Sequence, residues 1–452
     1  MIRALRRCAA LLLVAGAVAR AGAAESGPDL PGFTATLDAL VADERVQGGW
    51  TFAPGADGGR PQPFTLVMQL AERVARPLGL ARWDLLVVRS PGTPAAGLLL
   101  LAGQRLTGRA DYLDAARRAG DLLVATQLPS GGWFSEMPVE GGGLATWFPW
   151  VATLRTTLDD DVTTGAVRFL LALWQRTGDD RYRDAAGRGI DLLVRAQLPS
   201  GAWPHAWRPP WLRALHASRE DHPSLNDGTT PIAIETLLAA APVLDRPDLV
   251  EAARRGGEWL LSAQLPPPRA GWAQQYDDAG HPAGMRAFEP PAVASWETRH
   301  AVDALDALTR ATGEARWCRA ARAAAAWLRA AAIAPGCWAR FYGVDDGAPI
   351  YLDANGARVP SPDAARPGYD WHGDFGISAL LRRLGLSPTP ASPAPLAGDP
   401  GACPGMVDAL HVGHGARGLM AEAGMQLAVL EPPAISPCAG TPMEVVAADR
   451  LR

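Results

Sequence analysis

The chain has 452 residues, a hydrophobic fraction of 48% and a formal net charge of −4. Glycine (48 residues) and proline (40 residues) are frequent, but this hydrophobic fraction is typical of a chain with a buried core and not of a disordered one. All 43 cationic residues are arginine, which excludes Schiff-base and P-loop lysine chemistry. The acidic balance also argues against nucleic acid as a partner.

Residues 1–24 have the layout of a secretory signal peptide, with a basic start, an apolar run and small residues before Glu25. The remainder of the chain carries a formal charge of −8. The apolar run is too short to span a bilayer comfortably, and no later segment is long and apolar enough to do so. We therefore expect a secreted or periplasmic protein that has no membrane partner once the signal is cleaved.

Four cysteines follow the signal segment: Cys318, Cys337, Cys403 and Cys438. An even number of cysteines in an exported chain permits two disulfides. Pairing of near neighbours would join residue 318 to 337 and residue 403 to 438. Four unpaired buried thiols are the alternative.

An internal repeat organises the middle of the chain. The stretch YLDAARRAGDLLVATQLPSGGW (112–133) resembles 182–203, 249–272 and, more loosely, 317–338. The tryptophans that end these copies lie 70, 69 and 66 residues apart, and QGGW ending at Trp50 is a candidate fifth copy. Each copy begins with an amphipathic helical run that a Pro or Gly ends, and another helical run precedes it after a short turn. The unit is a helical hairpin, which predicts an all-α fold, an α/α toroid or incomplete α/α barrel of such hairpins.

The connections within a hairpin are short, whereas those that follow each Gly-x-Trp are long. Because the copies share one register, all the long loops should leave the same face of the toroid, and long loops in a compact domain are usually functional. We assign 25–386 to the toroid, 387–400 to a Pro/Ala linker and 401–452 to a small irregular C-terminal tail of unknown role.

Two of the long loops carry acids directly before a helix. TLDDDVTT contains Asp160 and Asp161, and SLNDGTTP contains Asn226 and Asp227. Capping of a helix N-terminus explains one such residue in each loop but not three acids in a row. Carboxylates concentrated on one face of the toroid suit an oxygen-binding cation such as Ca²⁺.

The remaining loops carry arginines beside aromatic residues, namely Arg286, Arg340 and Arg366. A single arginine of this kind is commonly a surface residue or an ion-pair partner, but three on one face indicate a binding surface. Loop tryptophans, among them Trp203 and Trp272, are candidates for stacking on sugar rings, and packing of the loops is the alternative.

The stretch DDDVTTGAVRFLLALWQRTGDDRYRDAAGRGIDLLVRAQLPSGAWP resembles the core of the family-ten pectate lyases. NDGTTP, GWAQQYD, ARFYG and RPGYDW follow in that family's order, and MRAFEPPAVASWET looks like its AR-x-YE-x-P segment. The likeness covers about residues 100–375. His205 replaces the usual Gln after Trp-Pro, and Trp296 interrupts the familiar Ser-Glu-Ser ending.

This resemblance implies Ca²⁺-dependent β-elimination in an acidic polysaccharide, polygalacturonate. We also expect the protein to be a monomer. The family's arginine base carries over to Arg286. Arginine is a poor base at its ordinary pKa, so nearby cations must disfavour its charged form. The resemblance further implies that Asp160, Asp161 and Asp227 bind the metal or orient the substrate, with Asn226 as their polar partner. Arg340 and Arg366 would bind uronate carboxylates.

Three other classes of protein share parts of this pattern. A glycoside hydrolase on the same toroid would use two carboxylates for acid/base work. A non-catalytic glycan-binding relative would keep the groove without the base, and the retained Arg286 counts against it. A terpene-cyclase-like protein has similar Gln-x-x-x-Gly-x-Trp repeats and an acidic motif, but export and the charged loops argue against that class.

Overall fold

A computed structural model describes residues 30–44, 48–50, 85–138, 155–387, 423, 427 and 435–439. The predicted signal peptide therefore lies outside the described residues. So do nearly all of the predicted linker and most of the predicted tail.

The described residues are mainly helical. The helices are α1 (Leu30–Ala42), α2 (Thr93–Thr107), α3 (Ala110–Thr126), α4 (Val162–Thr177), α5 (Asp180–Ala196), α6 (Pro210–Leu215), α7 (Thr229–Leu244), α8 (Asp248–Ala263), α9 (Ser295–Thr312), α10 (Ala315–Ala330) and α11 (Ile377–Arg383). None of these described helices has the length and apolar character needed to cross a bilayer.

The helices pack as hairpins, α2 with α3, α4 with α5, α7 with α8 and α9 with α10. The first helices of successive hairpins also contact one another in the order α2, α4, α7 and α9, so they form an inner ring that the second helices surround. The predicted α/α toroid is confirmed.

The helix pattern follows from the sequence. In α5 the buried residues recur at three- and four-residue steps and face the first helix of the hairpin; they are Tyr182, Ala185, Ala186, Gly189, Ile190, Leu192, Leu193 and Ala196. The turn between the helices is tight because Gly178 ends α4 in the left-handed conformation, where its N–H donates to the Trp174 carbonyl.

The repeat tryptophan joins three elements. The Trp203 indole Nε1 donates to the Leu193 carbonyl at 2.7 Å, and its backbone N–H donates to the Thr230 hydroxyl at 2.9 Å. Trp272 makes the same two bonds, to the Leu260 carbonyl and the Thr298 hydroxyl. Trp50, Trp133 and Trp338 likewise donate to the carbonyl of a leucine ten residues earlier. Each repeat tryptophan therefore fixes the end of an outer helix.

We predict that Trp203→Phe destabilises the protein by about 2–4 kcal/mol, because it removes buried aromatic volume and leaves the Leu193 carbonyl without its donor. Urea unfolding followed by far-ultraviolet circular dichroism measures the change. Trp211→Phe, at an exposed position of α6, is the matched control and should change stability by less than about 0.5 kcal/mol. Equal effects of the two substitutions would contradict the anchoring role.

Short strands lie within the long connections. They are β1 (Leu85–Val87), β2 (Glu136–Pro138), β3 (Thr156–Thr157), β4 (Ala206–Trp207), β5 (Trp272–Ala273), β6 (Val293–Ala294), β7 (Trp338–Ala339), β8 (Phe341–Tyr342), β9 (Pro349–Ile350) and β10 (His372–Gly373). The antiparallel pairs β1–β2 and β3–β4 and the sheet β5–β6–β8–β9 join loops of different repeats, whereas β7 pairs with β10 within the connection between α10 and α11. The loops are thus held against one another.

The structure pairs Cys318 with Cys438, 120 residues apart in sequence, with their Cα atoms 5.1 Å apart. Cys337 is also disulfide-bonded. The predicted pairings of 318 with 337 and of 403 with 438 are therefore wrong. The reason is tertiary: residues 435–439 lie against α9 and α10, where the Arg322 Nε donates to the Cys438 carbonyl at 2.8 Å.

Candidate functional site

Two acidic residues occupy equivalent places in adjacent loops. Asp160 and Asp227 each lie three residues before the threonine, Thr163 or Thr230, that accepts the N–H of the preceding repeat tryptophan. Both have left-handed backbones, with φ of 54° and 47°. Aspartate adopts this conformation more readily than most residues. The repeat therefore presents one carboxylate from each of two neighbouring loops.

The two carboxylates lie within electrostatic range of each other. Burial, followed by the negative charges of Asp227 and Asp159, raises the pKa of Asp160 to about 8. No hydrogen bond or ion pair joins the Asp160 side chain to another residue in the part of the chain that the structure describes. A buried carboxyl beside a second acid would be stabilised in its ionised form by a bound cation, and carboxylate oxygens are the donors that Ca²⁺ prefers.

Asp161 differs from its neighbour. Its carboxylate accepts from the Thr164 hydroxyl at 2.7 Å and forms an ion pair with Arg168, so its charge is already balanced within α4. Among the described residues, no group of three or more His, Cys, Asp or Glu side chains is arranged to hold a metal ion. The structure thus places Asp160 and Asp227 close enough for their charges to interact, whereas Asp161 is paired with Arg168.

The predicted polar partner Asn226 is buried beside Asp227. Its Nδ2 donates to the Asp227 Oδ2 at 2.6 Å, and its Oδ1 accepts from the Gln274 amide. Asn226 therefore orients the Asp227 carboxylate and connects it to the loop that follows α8.

Arg340 is buried, with 4% of its surface exposed. Its guanidinium lies 4.5 Å from the Trp296 ring centroid and 4.7 Å from that of Tyr369. Its Nη2 is 3.2 Å from the Glu297 Oε1 and 3.7 Å from the Asp227 Oδ1. Burial opposes its charge, but Tyr369 and these carboxylates still raise the pKa of Arg340. The predicted role of a free carboxylate clamp is wrong, because the guanidinium is enclosed and committed to acids of the protein.

Burial raises the pKa of Glu297 to about 7, and the positive charge of Arg340 limits that rise. Glu297 is fully buried at the start of α9. Arg340 therefore lies between two acids, one of them a predicted metal ligand, and holds Asp227 in place from the interior of the protein.

Arg286 is accessible to solvent, with 48% of its side chain exposed. Its Nη1 donates to the Glu289 Oε1 at 3.2 Å, and its backbone N–H donates to the Glu289 Oε2 at 3.1 Å. Arg366 stacks on the Phe288 ring at 4.0 Å, and Arg286 lies 6.0 Å from the same ring centroid. The structure thus places both predicted arginines, Arg286 and Arg366, near the ring of Phe288.

An ion pair that the sequence did not predict joins two of the loops. The His205 Nδ1 lies 2.8 Å from the Asp159 Oδ2, and its Nε2 lies 3.1 Å from the Gln275 Oε1. The Gln275 amide nitrogen donates to the Arg219 carbonyl, so its oxygen faces the ring. Both ring nitrogens therefore face acceptors, an arrangement that favours the imidazolium form. Burial opposes the charges, but the shared hydrogen bond raises the pKa of His205 and lowers that of Asp159.

Trp203 and Trp272 are completely buried, with 0% of their surface exposed. Their indoles make the helix-end hydrogen bonds described above and present no face to solvent. The prediction that they bind substrate is therefore wrong for this structure. Both tryptophans end a copy of the repeat, and a tryptophan at that position packs into the core.

An α/α toroid with a charged loop face is the class of protein that these observations define. Residues 146–335 match the family model for pectic acid lyase. This match confirms the predicted resemblance to the pectate lyases.

Two solved structures from Cellvibrio cellulosa share the fold. A mutant family 10 polysaccharide lyase in complex with trigalacturonic acid is 22% identical, with a TM-score of 0.50 over 65% of this chain and 98% of its own. A family 10 polysaccharide lyase is 23% identical, with a TM-score of 0.50 over 65% of this chain and 97% of its own. No curated protein sequence matches the chain.

Proposed function

We propose that the protein is an exported pectate lyase that cleaves polygalacturonate by β-elimination, with Arg286 as the base and Ca²⁺ as the cofactor. The observation that carries the proposal is the opposed pair of charges on the loop face. Asp160 and Asp227 supply two neighbouring carboxyl groups there, and the half-exposed Arg286 is close enough to the adjacent Asp159 for its charge to contribute to lowering the pKa of that residue.

The chemistry needs both signs of charge. The C5 proton of a uronate is weakly acidic, and its removal leaves enolate-like charge on the adjacent carboxylate. Asp160 and Asp227 would hold a calcium ion, which when bound would neutralise the substrate carboxylate and stabilise that charge. Fixed cations of the protein would supply the rest of the charge stabilisation. Arg366 is partly exposed, and its planar guanidinium suits the binding of a second uronate carboxylate.

Arg286 can act as the base only when its protonated form is disfavoured. The Glu289 carboxylate pairs with the protonated guanidinium, so cationic charge close to the substrate must offset that pairing. We therefore expect activity to rise toward alkaline pH. Arg340 and Asn226 would not touch the substrate; they hold Asp227.

Substrate class and export have separate support. The relative in complex with trigalacturonic acid is a polysaccharide lyase of the same fold, which favours an acidic polysaccharide as the substrate. The disulfide between Cys318 and Cys438 suits an oxidising compartment and favours secretion or the periplasm.

The direct test mixes the purified mature protein with polygalacturonate and Ca²⁺ and follows the ultraviolet absorbance of the unsaturated product. We expect a steady rise that EDTA abolishes and that added Ca²⁺ restores. Citrus pectin of high methyl esterification and alginate, tested in parallel, define the substrate. The absence of unsaturated product from every uronate polymer would contradict the proposal.

A glycoside hydrolase is the second candidate, because burial and the neighbouring Asp227 and Asp159 raise the pKa of Asp160 to about 8. A protonated acid next to an acidic partner is the arrangement that hydrolases use. Release of reducing sugar without ultraviolet absorbance would favour this candidate over the lyase.

A further inference from the structure

A buried carboxylate, that of Glu289, contacts Arg286. Glu289 is 3% exposed, and both of its oxygens accept from the loops around it. The Oε2 accepts the backbone N–H of Arg286 at 3.1 Å, and the Oε1 accepts from the Arg286 Nη1 at 3.2 Å. The same Oε1 also accepts from the Tyr369 hydroxyl at 3.3 Å and the Gln274 amide at 3.4 Å. One carboxylate thus gathers four donors from three segments of the loop face.

These bonds continue to the paired carboxylates. The Gln274 amide that reaches Glu289 also donates to Asn226, and Asn226 donates to Asp227. An unbroken hydrogen-bonded chain therefore joins Arg286 to Asp227. Its members are buried except at the two ends, where Arg286 and Asp227 reach solvent.

We propose that Glu289 is the positioning residue that fixes the Arg286 guanidinium relative to the Asp227 carboxylate; this inference rests on the proposed function. An exposed arginine loses about 2 kcal/mol of rotamer entropy when it is held in one geometry. Glu289 contacts Arg286 at both the backbone and the guanidinium, so it closes a ring that restricts the side chain before the substrate arrives. Preorganisation of this kind acts on the rate more than on substrate affinity.

Arg366 offers a comparison on the same aromatic ring. It stacks on Phe288, but no ion pair joins it to an acid within the described parts of the chain. Arg366 therefore remains available for a substrate carboxylate, whereas Arg286 is held by Glu289. Both arginines lie near the same aromatic ring, but only Arg286 is paired with a buried carboxylate.

Glu289→Gln tests the proposal, because an amide cannot accept from all four donors. We expect kcat on polygalacturonate to fall about 10- to 100-fold while KM changes less than about 3-fold. In an Arg286→Ala background the same substitution should cause almost no further loss of kcat. Asp306→Asn, which alters a buried acid of α9 far from the loop face, is the matched control and should leave both constants unchanged.

A measurement that does not depend on activity completes the test. The Arg286 Nε–H signal in nuclear magnetic resonance should show a restricted side chain in the unmodified protein and a mobile one in Glu289→Gln. Glu289→Asp serves if the Gln variant does not fold. A kcat of Glu289→Gln equal to that of the wild type, or equal mobility of Arg286 in the variant and the wild type, would overturn the positioning role. A wild type without lyase activity would overturn the proposed function instead, and the resonance measurement would then decide the role of Glu289 alone.

Discussion

Arg286→Ala is expected to lower kcat on polygalacturonate by about 10²- to 10⁴-fold, the range that removal of a general base commonly causes. KM should change little, because Arg366 and a calcium ion held by the carboxylate pair would still bind uronate. Initial rates of ultraviolet absorbance over a range of substrate concentrations and pH values measure both constants. Arg286→Lys should recover only part of the activity at high pH, because its amine loses a proton more readily but lies at a different distance.

A matched control for this substitution is Arg246→Ala. Arg246 pairs with Asp191 and Asp248 on the outer side of the toroid, away from the loop face. Its loss should leave kcat unchanged and cost less than about 1 kcal/mol of stability, as exposed ion pairs do. If Arg286→Ala kept more than about a third of the wild-type kcat, a base outside the Arg286 loop would be required.

The fold was predictable because its signal is local and repeated. The spacing of buried residues in α5 and the glycine at the end of α4 specify a hairpin from a short stretch of sequence, and the repeat multiplies that signal. The shared register also predicts that Asp160 and Asp227 occupy corresponding loops. Counting back from the threonine that follows each acid would have aligned them and separated Asp161 from the pair.

Contacts between loops were not predictable from the same patterns. The His205–Asp159 ion pair depends on the pairing of β3 with β4, and two-residue strands carry almost no sequence signal. The burial of Arg340 depends on Trp296 and Tyr369, which reach it from two different segments. For the same reason the sequence could not show that Trp203 faces the core, because burial is set by the packing of neighbouring repeats.

Asp160→Asn is expected to stabilise the metal-free protein at alkaline pH by on the order of 1–3 kcal/mol. The pKa of Asp160 is raised to about 8, well above the value of about 3.9 expected in the unfolded chain. The folded state therefore binds the proton more tightly, and stability falls as pH rises from about 4 to about 8. The amide has no charge to bury, so the benefit of the substitution should be small at pH 5 and fully developed at pH 9.

Calcium should reverse the order of stability of Asp160→Asn and the wild type at alkaline pH. Binding requires the ionised carboxyl, so Ca²⁺ is expected to raise the melting temperature of the wild type more at pH 9 than at pH 6, and to have little effect on Asp160→Asn. Thermal unfolding with EDTA or with excess Ca²⁺ at the two pH values measures all four conditions. Asp191→Asn, at an exposed position, controls for the loss of one surface charge. An equal response of Asp160→Asn and wild type to calcium would remove Asp160 from the proposed ligands, because an amide at this position cannot replace the charge that attracts the ion.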